Sequence, residues 1–170
     1  MRAALRLMRW ETAAAYGIVA AAAALAYLPL VGQLGFYNDD WFTLVSKVSN
    51  VGLLRMHVID RPVMGLVYTI TYRLLGDSPL GWHLFSFVVR ALGGLAFLWL
   101  LRLVWPGQRR MTLAAACLFI IYPGFLQQPG ANNFSNHFIA FFLGLSSLVL
   151  GVKALRSSPG AGRLVMIALS

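Results

Sequence analysis

Two adjacent carboxylates, Asp39 and Asp40, follow a long apolar run in the sequence Asn38-Asp39-Asp40-Trp41. A carboxylate held at a surface can take the proton of an attacking hydroxyl or amine. The same pair also fits a plain helix start, with Asn38 as cap and acids near the positive end of the dipole. Asp60-Arg61-Pro62 opens a second helical stretch further on. An arginine at a helix start opposes the dipole, whereas a guanidinium beside a helix N-terminus suits a phosphate. The local alternative is that Arg61 pairs with Asp60 or with lipid phosphate unspecifically. A third polar stretch, 127–137, is rich in amides, ends in Asn136 and His137, and has aromatic neighbours. Uncharged hydrogen-bonding groups beside an aromatic wall suit a sugar, and an ordinary polar loop has the same composition. His57, His83 and His137 show no paired His or Cys motif, so no metal site is assigned, although loop carboxylates and amides could hold a divalent ion weakly. Cys117 stands alone, which excludes an internal disulfide. Arg90 lies inside an apolar run, a costly place that marks function unless it snorkels or pairs with Asp77.

The elements that must position these groups are apolar helices. Apolar residues make up 59% of the chain and charged residues 11%, well under the roughly 25% charged content of soluble domains. A soluble core of this size could not hide that much apolar surface. The net charge of +9 would suggest nucleic acid in a soluble protein, but the cations fall between apolar segments, so nucleic acid is excluded as the partner. Apolar stretches at 12–36, 82–105, 111–125 and 138–155 approach the ~20 residues needed to cross a bilayer. Another begins at 163, and its interruption at Ser170 points to the N-terminal part of a longer protein. The expected fold is therefore all-α: a polytopic transmembrane protein with juxtamembrane helices on its outer surface.

Topology follows from the segment 62–75, which is short for a span and two-faced, with Val63, Leu66, Val67, Ile70 and Leu74 on one stripe. The segment 39–50 is similar, and both read as helices lying on the membrane. With neither crossing, Arg2, Arg6, Arg9, Arg102, Arg109, Arg110, Lys153, Arg156 and Arg163 share one side with Glu11. Lys47, Arg55, Arg61 and Arg73 face Asp39, Asp40, Asp60 and Asp77 on the other. That asymmetry places the basic side and the N-terminus in the cytoplasm and the loop 37–81 outside a cell membrane.

The order of these motifs resembles the N-terminal part of the GT-C superfamily of polyprenyl-phosphate-sugar-dependent glycosyltransferases, such as the protein O-mannosyltransferases and lipid A aminoarabinose transferases. The similarity runs over about 37–150: Asn-Asp-Asp-Trp after one long anchor, Asp-Arg-Pro before a surface helix, Leu-Leu-Gly-Asp-Ser-Pro-Leu-Gly-Trp-His before a long span, and the turn Leu-Arg-Leu-Val-Trp-Pro-Gly-Gln-Arg-Arg. The resemblance implies a sugar moved from a polyprenyl-phosphate carrier to an acceptor at the outer face, with inversion at C1; no cofactor is assigned. It implies an acidic centre at Asp39, with Asp40 beside it, and a phosphate contact at Arg61 next to Asp60. Many members carry an aspartate in the second outer loop, where this chain has Asn136 before His137. The rival expectations are a non-catalytic membrane module, such as a scaffold or part of a transporter or flippase, and an inactive remnant.

Overall fold

The computed structural model describes residues 2–49, 51–59, 61–122 and 130–170, and of residues 2–9, 47 and 48 only the backbone. Every regular element among the described residues is helical. In chain order these are α1 (Arg2–Tyr27), a single 3₁₀ turn (Val31–Gln33), α2 (Asp40–Val48), α3 (Leu53–His57), α4 (Pro62–Leu75), α5 (Pro79–Val104), α6 (Arg109–Ile121), α7 (Ser135–Arg156) and α8 (Ala161–Ala168). Among the described residues three stretches are long and apolar enough to cross a membrane: Trp10–Gln33, Pro79–Val104 and Ser135–Arg156.

Proline chemistry sets two ends that differ from expectation. The stretch 12–36 is not one helix: α1 stops at Tyr27, and Pro29 prevents its continuation. The expected span 111–125 is α6, which runs from Arg109 only to Ile121. Tyr122 is extended (φ −58°, ψ 123°), as a residue before proline prefers. With 13 residues, α6 is about 20 Å long, short of the ~30 Å hydrocarbon thickness. The segment 62–75 forms the expected helix, with Pro62 in its first turn.

Helix α5 is the central post. It packs against α1, α6 and α7. Ala15, Val19, Ala23, Leu98, Ala116 and Ile120 form one buried cluster between α1, α5 and α6. At one end of the bundle Glu11 accepts from Arg102 (2.6 Å) and Arg109 (3.1 Å), tying α1 to α5 and α6. Near the same end Arg156 donates to the Leu103 carbonyl at 2.6 Å, and the Lys153 ammonium lies 5.0 Å from the centre of the Trp99 ring.

The opposite end carries α2, α3 and α4, two of which are inverted relative to water-facing helices. Helix α2 buries Asp40, Thr43 and Ser46 and exposes Trp41, Phe42 and Val45. Helix α4 buries Met64, Gly65, Tyr68 and Thr71 and exposes Val63, Leu66, Ile70 and Leu74. A helix whose polar stripe faces the protein and whose apolar stripe faces outward has the pattern of one solvated by hydrocarbon. Gly65 lets α3 touch α4: a Cβ there would sit 3.1 Å from the Leu54 Cα and 3.2 Å from the Leu53 carbonyl oxygen.

Candidate functional site

The two neighbouring aspartates have opposite fates. Asp40 is fully buried. One carboxylate oxygen accepts the backbone N–H groups of Asn132 and Asn133, both at 2.9 Å. The other accepts from Ala131 (2.7 Å) and Tyr37 (3.1 Å). Four donors fill both oxygens and leave no room for a substrate proton. Asp40, expected beside the reaction centre, is thus a clamp that holds the backbone run 131–133 against the start of α2. Asp39 is exposed, and the Asn133 side chain donates to it at 3.3 Å. Asp39 lies in the turn before α2, and Asp40 is the first residue of that helix. This turns Asp40 inward and leaves Asp39 at the surface.

A second layer supports the clamp. Asn132, also fully buried, donates to the Asp40 carbonyl at 3.3 Å and accepts from the Thr43 hydroxyl at 3.3 Å. The Tyr68 hydroxyl donates to the carbonyls of Asn132 (3.0 Å) and Asn133 (3.3 Å). Burial raises the Tyr68 phenol well above its ordinary range and the Asp40 charge pushes the same way; Ser135 and Arg61 oppose weakly. The phenol stays protonated and donates. Tyr68 in turn packs against Trp82 and His57, with ring centres 6.1 and 5.6 Å apart.

A polar stripe on α5 reaches the same region. His83, Ser86 and Arg90 lie one turn apart on one face. His83 Nε2 lies 3.0 Å from the Gly35 carbonyl, Ser86 donates to Ala131 at 2.8 Å, and Arg90 donates to Ile120 at 3.3 Å. Since a carbonyl only accepts, the His83 proton sits on Nε2. Arg90 neither snorkels nor reaches the surface: it is buried, 4.0 Å over the Tyr27 ring and 5.2 Å from that of Phe138.

Arg61 stands at the N-terminal edge of α4, exposed, its guanidinium 3.9 Å from the Met64 sulfur. The Asn136 side-chain amide donates to that same sulfur at 3.1 Å, while its carbonyl oxygen is buried without a hydrogen bond. Donors from the edge of α4 and from α7 thus meet at the Met64 sulfur, a weak acceptor. They head an open groove of about 340 Å³ walled by Val63, Val67, Ile139, Ala140 and Leu143. The groove is apolar along its length and polar at one end.

His137, expected to act with Asn136, is turned away. It stacks beside Phe134 (5.5 Å between ring centres) and lines a different groove with Phe141 and Leu148. Adjacent positions on α7 face different sides, so helix geometry separates this pair. Asp60, Gln127 and Gln128 lie outside the described residues. Among the described residues no three His, Cys, Asp or Glu side chains gather to hold a metal ion. The residues missed from sequence are Met64, Tyr68, Ser86, Asn132 and Asn133. Only the amide richness of 127–137 hinted at the last two; Met64 and Tyr68 read as ordinary helix.

No family model matches this sequence, and no curated protein or solved structure matches it either.

Proposed function

We propose that the chain is part of a polytopic membrane glycosyltransferase that takes a sugar from a polyprenyl-phosphate carrier at the outer face of a cell membrane. One observation carries this reading: the Arg61 and Asn136 donors converge at the polar head of the apolar groove between α4 and α7. A phosphate oxygen would replace the Met64 sulfur as the stronger acceptor for both donors, and the prenyl chain would follow Val63, Val67, Ile139 and Leu143. The N-terminus of α7 adds the positive end of a long helix beside Asn136. The outward apolar stripes of α2 and α4 support an outer-leaflet setting, as does the gathering of arginines at the Glu11 end.

In this mechanism Asp39 accepts the proton of an acceptor hydroxyl or amine as the acceptor attacks C1 from the face opposite the phosphate. The C1–oxygen bond breaks, and Arg61 and Asn136 take up the charge on the departing polyprenyl phosphate. Asn133 orients the Asp39 carboxylate, and Asp40 holds Asn133. A single displacement inverts C1.

The test uses the full chain in lipid nanodiscs with a polyprenyl-phosphate sugar. Arg61→Ala should weaken donor binding about 10–100-fold, the worth of one charge-assisted hydrogen bond. Asp39→Asn should lower transfer about 10²–10⁴-fold with donor binding kept. Intact transfer in both variants would sink the reading; donor binding without transfer in any variant would favour a lipid-binding module. For topology, a cysteine at Gly107 should resist an impermeant thiol reagent in intact cells.

A further inference from the structure

Three carbonyls from three separate segments meet one face of α5. Gly35 leads into Asp39, Ala131 leads into Asn133, and Ile120 lies in the last turn of α6. The stripe His83, Ser86 and Arg90 therefore measures off both arms of the Asp39–Asn133 pair and the level at which α6 stops. Its deepest member holds the most exacting position. The C-terminal carbonyls of a helix lack partners within it, and on the membrane reading α6 ends about 10 Å short of the far hydrocarbon edge. Backbone at that depth must be covered by protein or by water. Here the Tyr27 hydroxyl (3.0 Å) and the Arg90 guanidinium (3.3 Å) both donate to the Ile120 carbonyl, at the negative end of the α6 dipole.

Above this junction lies a narrow recess whose polar lining is Tyr27, His83, Ser86 and Arg90 and whose remaining wall, Phe87 and Gly130 included, is apolar. Its free core of about 30 Å³ holds about two waters at ~10–15 Å³ each. A guanidinium, an imidazole and two hydroxyls supply the polar partners such waters need. We propose that Arg90 is a positioning residue: standing in a water-filled recess inside the membrane, it caps the last turn of α6 and braces the recess wall at Gly130, where the backbone that carries Asn133 to Asp39 begins. This rests on the membrane and transferase readings above. Arg90 acts through the backbone at Gly130 and Ala131 and does not line the donor groove, so its loss slows the chemical step and spares donor binding.

The experiment uses the full chain in nanodiscs, in a Cys117→Ala background, with an impermeant thiol reagent. Phe87→Cys lines the recess, and Val88→Cys lies on the neighbouring, outward face at nearly the same depth. Phe87→Cys is expected to react at least 10-fold faster than Val88→Cys. Arg90→Met should cut that reaction at least 10-fold, because the recess loses the charge that holds its water. In the transfer assay Arg90→Met should lower kcat at least 10-fold with KM for the lipid donor within 2-fold, and Arg90→Lys should recover most of kcat. Arg90→Gln, which keeps volume and a donor, carries the test if Arg90→Met does not fold. Equal labelling of the two cysteines, or a rise in KM with kcat unchanged, overturns the proposal. If the parent chain transfers no sugar the reaction reading fails by itself, while the labelling contrast still decides whether Arg90 stands in water.

Discussion

Glu11 and Asp40 are both carboxylates that tie helices together, at opposite ends of the same bundle, and they do it by different physics. Glu11 is partly exposed and takes two guanidinium groups, one of them exposed as well. Long side chains in a wet setting make such pairs replaceable, and each contributes about 0–1 kcal/mol. Asp40 is fully buried and takes four backbone N–H groups from both sides of the candidate site. Those donors have no other means of satisfaction once buried. One end is joined by charges that can rearrange; the other is held by a carboxylate whose partners cannot.

The contrast can be broken most sharply at Asp40. Asp40→Asn turns one acceptor oxygen into a donor facing N–H groups, which should cost about 3 kcal/mol or more, since each stranded buried donor costs about 1–3 kcal/mol. Thermal unfolding in detergent should show the largest loss of any variant named here, little changed between low and high salt. A smaller effect tests the layer beneath. Tyr68→Phe removes the donor to Asn132 and Asn133 and should cost about 1–2 kcal/mol. It should also alter the alkaline limit of stability. The folded phenol holds its proton above the ordinary tyrosine value of 10.0, so its contribution is complete below about pH 10 and is lost as pH rises through the raised folded value. The parent chain should therefore lose stability above about pH 10 more steeply than Tyr68→Phe; parallel curves would remove Tyr68 from the clamp. Smallest of all, Glu11→Gln should change stability by about 1 kcal/mol or less, with the difference shrinking as salt rises. A Glu11→Gln penalty equal to that of Asp40→Asn would erase the distinction between the two ends.

The groove and the clamp also differ in how much of them could be read from the chain. The apolar stripe of α4 and the proline that starts it gave the bounds of that helix, and Arg61 stood out because it opposes the dipole. The clamp left no comparable trace. Its acceptor is one of two identical neighbours, and its donors are backbone groups more than 90 residues away, which every residue but proline possesses.

Composition and the length of the apolar runs determined the helices: every regular element among the described residues is helical, and three stretches among them are apolar enough to cross a membrane. Local chemistry determined where α4 begins. Tertiary structure decided the rest: that Asp39 is available while Asp40 is spent, that Asn136 joins Arg61 while His137 turns away, and that Arg90 caps α6. For Asn136 and His137 the reason is helical geometry; Asp40 opens α2 while Asp39 stays in the turn before it. Adjacent residues point about 100° apart, and only packing against α5 and α7 decides which of them meets the protein.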